Sequence, residues 1–233
     1  MHLCLVDLIE LSKKFVHRAK IGNDCVELTS ALGEIHSSEL LQEISTDTAK
    51  KVFWINLYNA YVLLELNKQK KLDYSKQIVH FQDKSLTLDE IEHGILRGSK
   101  SKLALGYLRC ISVSDFEKQA RVSAIDYRLH FALNCGANSC PPIFIFSVEN
   151  LNEELDSRTK LYLHETVCFK KHDKSILVPR LCLWYLGDFK GFGGLIEMMK
   201  KYQILAPDEF PKVGFLKYDW TTNTNNFAAQ ITT

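Results

Sequence analysis

The chain has 233 residues, 46% of them hydrophobic and 24% charged, with a formal net charge of +1. This composition excludes a disordered chain, and a domain of this length buries roughly 70% of its unfolded surface without needing disulfides or a structural metal. Lys and Arg are scattered rather than blocked, so nothing in the charge pattern offers a footprint for a phosphate backbone, and nucleic acid is not an expected partner.

At the N-terminus, Leu5, Leu8, Ile9, Phe15, Val16 and Ala19 fall on one stripe at helical spacing, with Lys13, Lys14 and Arg18 towards water. Asp7 and Glu10 interrupt the apolar run and no basic n-region precedes it, so the segment reads as an amphipathic helix rather than a signal peptide. No stretch is long and apolar enough to span a bilayer, and no membrane partner is expected. The expected organisation is an N-terminal helical region over 1–46, one domain over 47–223 and a polar tail over 224–233.

Ser45, Thr46, Asp47 and Thr48 form a cluster of capping residues ahead of a helix expected from about Thr48 to Asn67. Its stripe Val52, Asn56, Asn59, Leu63 and Leu66 sets two amides among apolar neighbours. A buried amide without a partner costs about 1–3 kcal/mol, so Asn56 and Asn59 should hold defined partners, either backbone groups of a neighbouring loop or side chains of a site. Thr87 and Glu90 have capping-box spacing, with Leu86 and Ile91 as the hydrophobic staple of a helix ending at Gly98. Leu88, Ile91 and Ile95 face inward on it with Glu92, while His93, flanked by Asp89 and Arg97, reads either as a solvated surface residue or as a site residue.

Leu129, Phe131 and Leu133 alternate with His130, Ala132 and Asn134, the period of a strand with one apolar face. Gly136 permits a sharp turn after it and Pro141–Pro142 forbid regular pairing, which leaves Cys135 and Cys140 in a tight loop. Further on, the pattern gives a helix ending near His164, short strands at Thr166–Phe169 and Ser175–Val178, and helices at Leu181–Phe189 and Leu195–Tyr202. The residues after Trp220 read as a polar tail, frayed or draped on the surface.

Seven cysteines (Cys4, Cys25, Cys110, Cys135, Cys140, Cys168, Cys182) are an odd count with irregular spacing. They argue against a complete disulfide framework and for reduced thiols in a cytoplasmic protein. A cysteine nucleophile needs a thiolate and a histidine to move its proton. Cys140 or Cys135 would be that nucleophile. His130 is separated from Cys135 by extended chain, roughly 15 Å if fully a strand. Either the loop folds back on His130 or His93 closes on it from elsewhere, with Glu92 or Asn56 orienting the ring and Asn59 beside them.

The same two thiols allow a dithiol redox reading, although CGANSC is not a CxxC motif. Cys135, Cys140 and His130 lack the further cluster that would complete a zinc site, and GFGG at Gly191–Gly194 lacks the Lys-Ser/Thr of a phosphate loop. No cofactor and no metal are therefore expected. The alternative to chemistry is a scaffold domain whose Asn, His and Cys side chains form a buried network that specifies the fold.

Five segments, FWINLYNAYVL (Phe53–Leu63), LTLDEIEHGILRG (Leu86–Gly98), RLHFALNCGANSCPPI (Arg128–Ile143), the cluster Trp184, Tyr185, Asp188 and Phe189, and FLKYDWTTN (Phe215–Asn223), resemble the domain of unknown function family 547. The resemblance implies that Asn56, Asn59, Glu92, His93, His130, Cys135 and Cys140 occupy motif positions, compatible with one site drawn from three segments. Tyr127 stands where the family often has Pro, which should alter the approach to the following segment but not the site. Members of the family also occur in larger chains beside glutaredoxin-like or other modules, an association that hints at thiol chemistry.

The expectation is an α+β single domain, helices packed on a small mixed or antiparallel sheet, with an N-terminal amphipathic helix. Its leading function is a thiol-dependent hydrolase or acyl transferase acting on an amide or thioester of an unknown small-molecule or peptide-like substrate. The alternatives are the non-catalytic scaffold and the dithiol redox protein.

Overall fold

A computed structural model describes residues 7–68 and 72–229 of the chain. Helix α1 (Leu8–Lys20) opens at Asp7, whose side chain accepts the Glu10 N–H, and buries Leu8, Leu11, Ser12, Phe15, Val16 and Ala19. The expected amphipathic stripe is thus largely the buried face; Leu5 lies outside the described residues. Short helices α2 (Val26–Gly33) and α3 (Ser37–Glu43) lead to α4 (Asp47–Lys68), against which α1 packs, with the rings of Phe15 and Tyr61 5.0 Å apart.

Every residue of α4 from Val52 to Leu63 is buried. A helix covered on all sides is a core element, and one that carries amides must satisfy them inside. Asn56 donates to the Phe146 carbonyl and accepts the Phe146 N–H, each at 3.0 Å. Asn59 donates to the Ala132 carbonyl and accepts the Asn134 N–H, each at 2.9 Å. Each amide clamps the backbone of a segment some 70–90 residues away in sequence.

Strands β1 (Gln77–His80) and β2 (Ser85–Thr87) pair antiparallel. The capping box follows as expected, with the Glu90 N–H on Thr87 Oγ1 at 3.0 Å and the Thr87 N–H on Glu90 Oε2 at 2.8 Å. The helix it starts, Glu90–Leu96, is wound as a π-helix, with Arg97 N–H bonded to Glu92 O and Ser99 N–H to Gly94 O. The wider winding turns both Glu92 and His93 inward, at 9% and 8% exposure, so His93 is not the solvated surface residue that its charged neighbours suggested.

After α5 (Asp115–Ala120) the chain departs from the strand expected over Leu129–Asn134. Tyr127–Phe131 form a 3-10 helix whose entry is capped by Asp126, accepting the Arg128 N–H. Two things defeat the alternation. Leu129, His130, Phe131 and Ala132 are all buried, so the polar positions do not face water, and Asn59 takes the backbone groups that a neighbouring strand would need.

Helix α6 (Leu151–Thr166) is followed by a mixed sheet in which β3 (Cys168–Lys170) runs antiparallel to β4 (Ser175–Val178), and β4 parallel to β5 (Lys212–Phe215). Where a single helix was expected over Leu181–Phe189, α7 (Leu181–Trp184) ends early. Gly187 lies against the Gly106 backbone, which a Cβ would approach to 2.7 Å, and its N–H is spent on the Leu105 carbonyl. Helix α8 (Gly191–Lys201) closes a second hydrophobic cluster with Tyr162, Ile176 and Leu186. The tail is draped rather than frayed as far as it is described: Asn138 N–H binds the Thr221 carbonyl, Asn223 N–H that of Gly136, and Ile143 N–H that of Asn226. Two small sheets, one antiparallel and one mixed, among packed helices make this an α+β single domain. Among the described residues no helix is long and apolar enough to cross a membrane.

Candidate functional site

The loop between the 3-10 helix and Pro141 is built by its own side chains. Gly136 turns the chain at φ +80°, where its N–H meets Asn134 Oδ1 at 2.6 Å while Asn134 Nδ2 reaches the Pro141 carbonyl at 2.7 Å. Tyr74 and Tyr162 donate to the carbonyls of Cys135 and Ser139, and Asn226 to that of Cys140. So held, Cys135 and Cys140 lie with Cα atoms 6.1 Å apart and form a disulfide, at a span usual for such a bond. Cys25, Cys110, Cys168 and Cys182 are free.

The two sulfurs are not equivalent. Cys140 is 3% exposed and its Sγ receives the Cys135 N–H at 3.0 Å, whereas Cys135 is only half-buried. The Tyr218 hydroxyl lies 3.1 Å from each sulfur. Burial pushes that phenol well above its ordinary pKa, so it remains an O–H group near neutral pH.

Both cysteines line a cavity of about 600 Å³. Glu92, His93 and His130 line it too, so five of the seven residues singled out from sequence share one space. Asn56 and Asn59 do not; their amides are committed to backbone clamps. Trp184, Tyr185, Tyr218 and Trp220 supply an aromatic wall, and Asp89 and Lys102 pair with each other on the more exposed side.

A buried polar chain forms part of the same lining and continues beneath it. Glu92 accepts from the hydroxyls of Tyr185 at 2.6 Å and Tyr58 at 3.0 Å. Burial works to raise its carboxyl, while His93 in its protonated form, the Tyr185 hydroxyl, His130 in its protonated form and the Tyr58 hydroxyl act the other way and hold the group below the usual range; once the rings are neutral the two phenols are what remains. Arg97, fully buried, donates to His93 Nδ1 at 2.9 Å and to Asp188 Oδ2 at 2.6 Å. The same Asp188 oxygen lies 2.9 Å from His130 Nε2, and the His130 ring stacks on Tyr185 with centroids 3.9 Å apart. Burial lowers both histidines and prevails over the carboxylates beside them. For Asp188 burial acts upward, yet its bonds to His130 and Arg97 keep it ionised.

Tyr58, Arg97, Tyr185, Asp188 and Tyr218 belong to the site although their spacing in the sequence does not single them out as site residues. Tyr185, Asp188 and Tyr218 lie in the aromatic clusters near the C-terminus, and the density of rings in those short stretches was the available signal. Among the described residues no three His, Cys, Asp or Glu side chains are grouped to hold a metal ion.

Fold and site together define an α+β domain with a partly open cavity that carries a cysteine pair beside a buried His–Asp–Arg system. Residues 41–163 match the family described as "Protein of unknown function, DUF547", and the chain belongs to that family. The matched span contains Glu92, His93, His130 and both cavity cysteines, while Tyr185, Asp188 and Tyr218 complete the site from beyond it. Comparisons with curated proteins and with solved structures gave no match.

Proposed function

We propose that this chain is a thiol–disulfide enzyme whose working pair is Cys135 and Cys140 and whose substrate, a small-molecule or peptide-like thiol, enters the cavity. The observation that carries the reading is a bridged pair of unequal exposure in a cavity wall, with a backbone N–H on the less exposed sulfur and the Tyr218 hydroxyl within reach of both. A substrate thiolate attacks Cys135 Sγ, the bond to Cys140 breaks, and its electron pair leaves on Cys140. The Cys135 N–H and the Tyr218 O–H stabilise that thiolate, and a lower thiol pKa makes a better leaving group. A second substrate thiol then attacks the substrate sulfur of the mixed disulfide. The oxidised substrate departs, and the two thiol protons and two electrons remain on the pair. Run backwards, the same steps reduce a disulfide. A reducing cytoplasmic setting fits this cycle, in which the four other described cysteines stay free.

A second reading is favoured by the His130–Asp188 pair in the same cavity. In the reduced state Cys135 or Cys140 would attack an amide or thioester, with His130 as base and Asp188 as its orienting group, giving hydrolysis or acyl transfer.

The test is reduction of the protein across a thiol series with maleimide mass tagging, followed by assay of exchange with hydroxyethyl disulfide. Cys135 and Cys140 should gain tags together, and Cys140→Ser should trap a mixed disulfide on Cys135. Exchange that is unchanged in both Cys135→Ser and Cys140→Ser would overturn the thiol–disulfide reading. Stoichiometric acylation of one of these thiols in the reduced protein by p-nitrophenyl acetate, without disulfide exchange, would install the second reading in its place.

A further inference from the structure

We infer that the cavity recognises an organic ammonium group, with Glu92 as its counter-ion and the aromatic wall as its surroundings. The inference rests on the reading of this cavity as the substrate site. Glu92 is 9% exposed, and both of its oxygens accept from phenols. Its nearest ionisable nitrogen is His93 Nδ1 at 3.7 Å, which accepts from Arg97 and so carries no proton. Among the described residues no Lys or Arg forms an ion pair with Glu92. A buried carboxylate without a cation is costly, and two neutral hydroxyls compensate it only in part.

The charges elsewhere on the cavity lining cancel. Lys102 Nζ lies 2.8 and 2.9 Å from the two oxygens of Asp89, so the uncompensated charge is that of Glu92. The same lining holds three clustered rings: Tyr218 and Trp220 have centroids 4.5 Å apart, and Trp184 lies 4.7 Å from Tyr218. Aromatic faces attract a cation through their quadrupole and accept the apolar body that carries it, while they offer nothing to an anion. A buried carboxylate and clustered aromatic rings lining one cavity therefore select a positively charged nitrogen on a hydrocarbon frame. For the exchange reaction the substrate is then an aminothiol or a basic peptide thiol; for acyl transfer the ammonium belongs to the acyl acceptor or donor.

The experiment titrates benzylamine, benzyl alcohol and benzoate into the oxidised protein near neutral pH and follows tryptophan fluorescence. Of the chain's three tryptophans, Trp184 and Trp220 line the cavity and Trp54 is fully buried in the core. Benzylammonium should bind at least about tenfold more tightly than the neutral alcohol, and benzoate more weakly than either. In Glu92→Gln the ratio of amine to alcohol should collapse towards unity, and Trp184→Leu should weaken both. Equal binding of amine and alcohol, tighter binding of benzoate, or an amine preference that survives in Glu92→Gln would overturn the inference. Should Glu92→Gln not fold, the comparison of the three ligands on the native protein still decides. The bridge stays closed throughout, so failure here leaves the thiol reading standing, and failure of the exchange assay leaves this result intact.

Discussion

Arg97 Nη1 and His93 Nδ1 lie 2.9 Å apart, and this contact decides where the imidazole proton sits. A guanidinium has donors only, so Nδ1 accepts and the neutral ring carries its proton on Nε2, the nitrogen 3.8 Å from Asp89. His130 is set the other way: its Nε2–H donates to the ionised Asp188, which leaves Nδ1 as the unprotonated nitrogen. In this state His93 is a hydrogen-bond donor to the cavity and His130 the ring able to take a proton.

The depressed pKa values of these two rings have a consequence for stability. In the unfolded chain both titrate near about 6.5, and in the folded chain both titrate lower. Between the two values the unfolded state binds more protons, so stability is full above about pH 6.5 and is lost as pH falls through that value towards the folded pKa. The urea midpoint should be lower at about pH 5.5 than at about pH 7.5, a drop separate from the carboxylate-driven loss below about pH 4. A midpoint independent of pH across that interval would show that neither ring is held neutral by the fold, and NMR titration of the two histidines would show the same directly.

Tyr218 is the next test, because its hydroxyl serves both sulfurs at 3.1 Å. In reduced protein Tyr218→Phe removes one donor from the Cys140 thiolate and leaves the Cys135 N–H. A hydrogen bond to a charged group contributes about 1.5–3 kcal/mol, so the thiol should ionise about one to two pH units higher. Iodoacetamide labelling of Cys140 against pH reads this shift. An unmoved profile would assign Tyr218 to packing against Trp184 and Trp220 alone.

Asn56 and Asn59 separate stability from chemistry. Each satisfies one buried N–H and one buried carbonyl, so replacement by Ala leaves orphaned groups that cost about 1–3 kcal/mol each. Asn56→Ala should lower the urea midpoint without altering the labelling of the reduced cysteine pair, since Phe146 lies off the cavity lining. Asn59→Ala should do both, because it releases Asn134, which shapes the loop. Altered thiol chemistry in a fully folded Asn56→Ala protein would return that amide to the site.

What the sequence disclosed follows from how local each cause is. The capping box at Thr87 and Glu90, the stripe of α1 and the two amides of α4 are set by spacing within one segment, and they read correctly. The backbone at Ala132 and Asn134, just after the 3-10 helix at Tyr127–Phe131, is claimed by Asn59, some 70 residues away, and no local alternation reports that. The π-winding that turns His93 inward was hidden in the same way: the staple residues predict a helix, not its pitch. Cys135, Cys140, His130 and Glu92 were legible as chemistry-bearing types, but their partners Tyr218, Tyr185 and Asp188 arrive from the far end of the chain, where only aromatic density marked them.

The loop itself rests on Gly136, whose replacement tests two effects at once. At φ +80° an L-residue is strained by roughly 1–2 kcal/mol, and a Cβ at this position would overlap the Leu66 side chain of α4. Gly136→Ala should therefore destabilise the protein by more than the backbone term alone, and it should disturb the Asn134 turn that sets Cys135 against Cys140. Adding Leu66→Ala removes the overlap and leaves the backbone strain, so the double variant should recover part of the loss relative to Leu66→Ala alone. Urea unfolding measures the energies, and the midpoint of bridge reduction by dithiothreitol reports the loop. If Gly136→Ala costs nothing and the bridge reduces as in the native protein, the turn is not what holds the two sulfurs together, and the hydrogen bonds from Tyr74, Tyr162 and Asn226 must suffice.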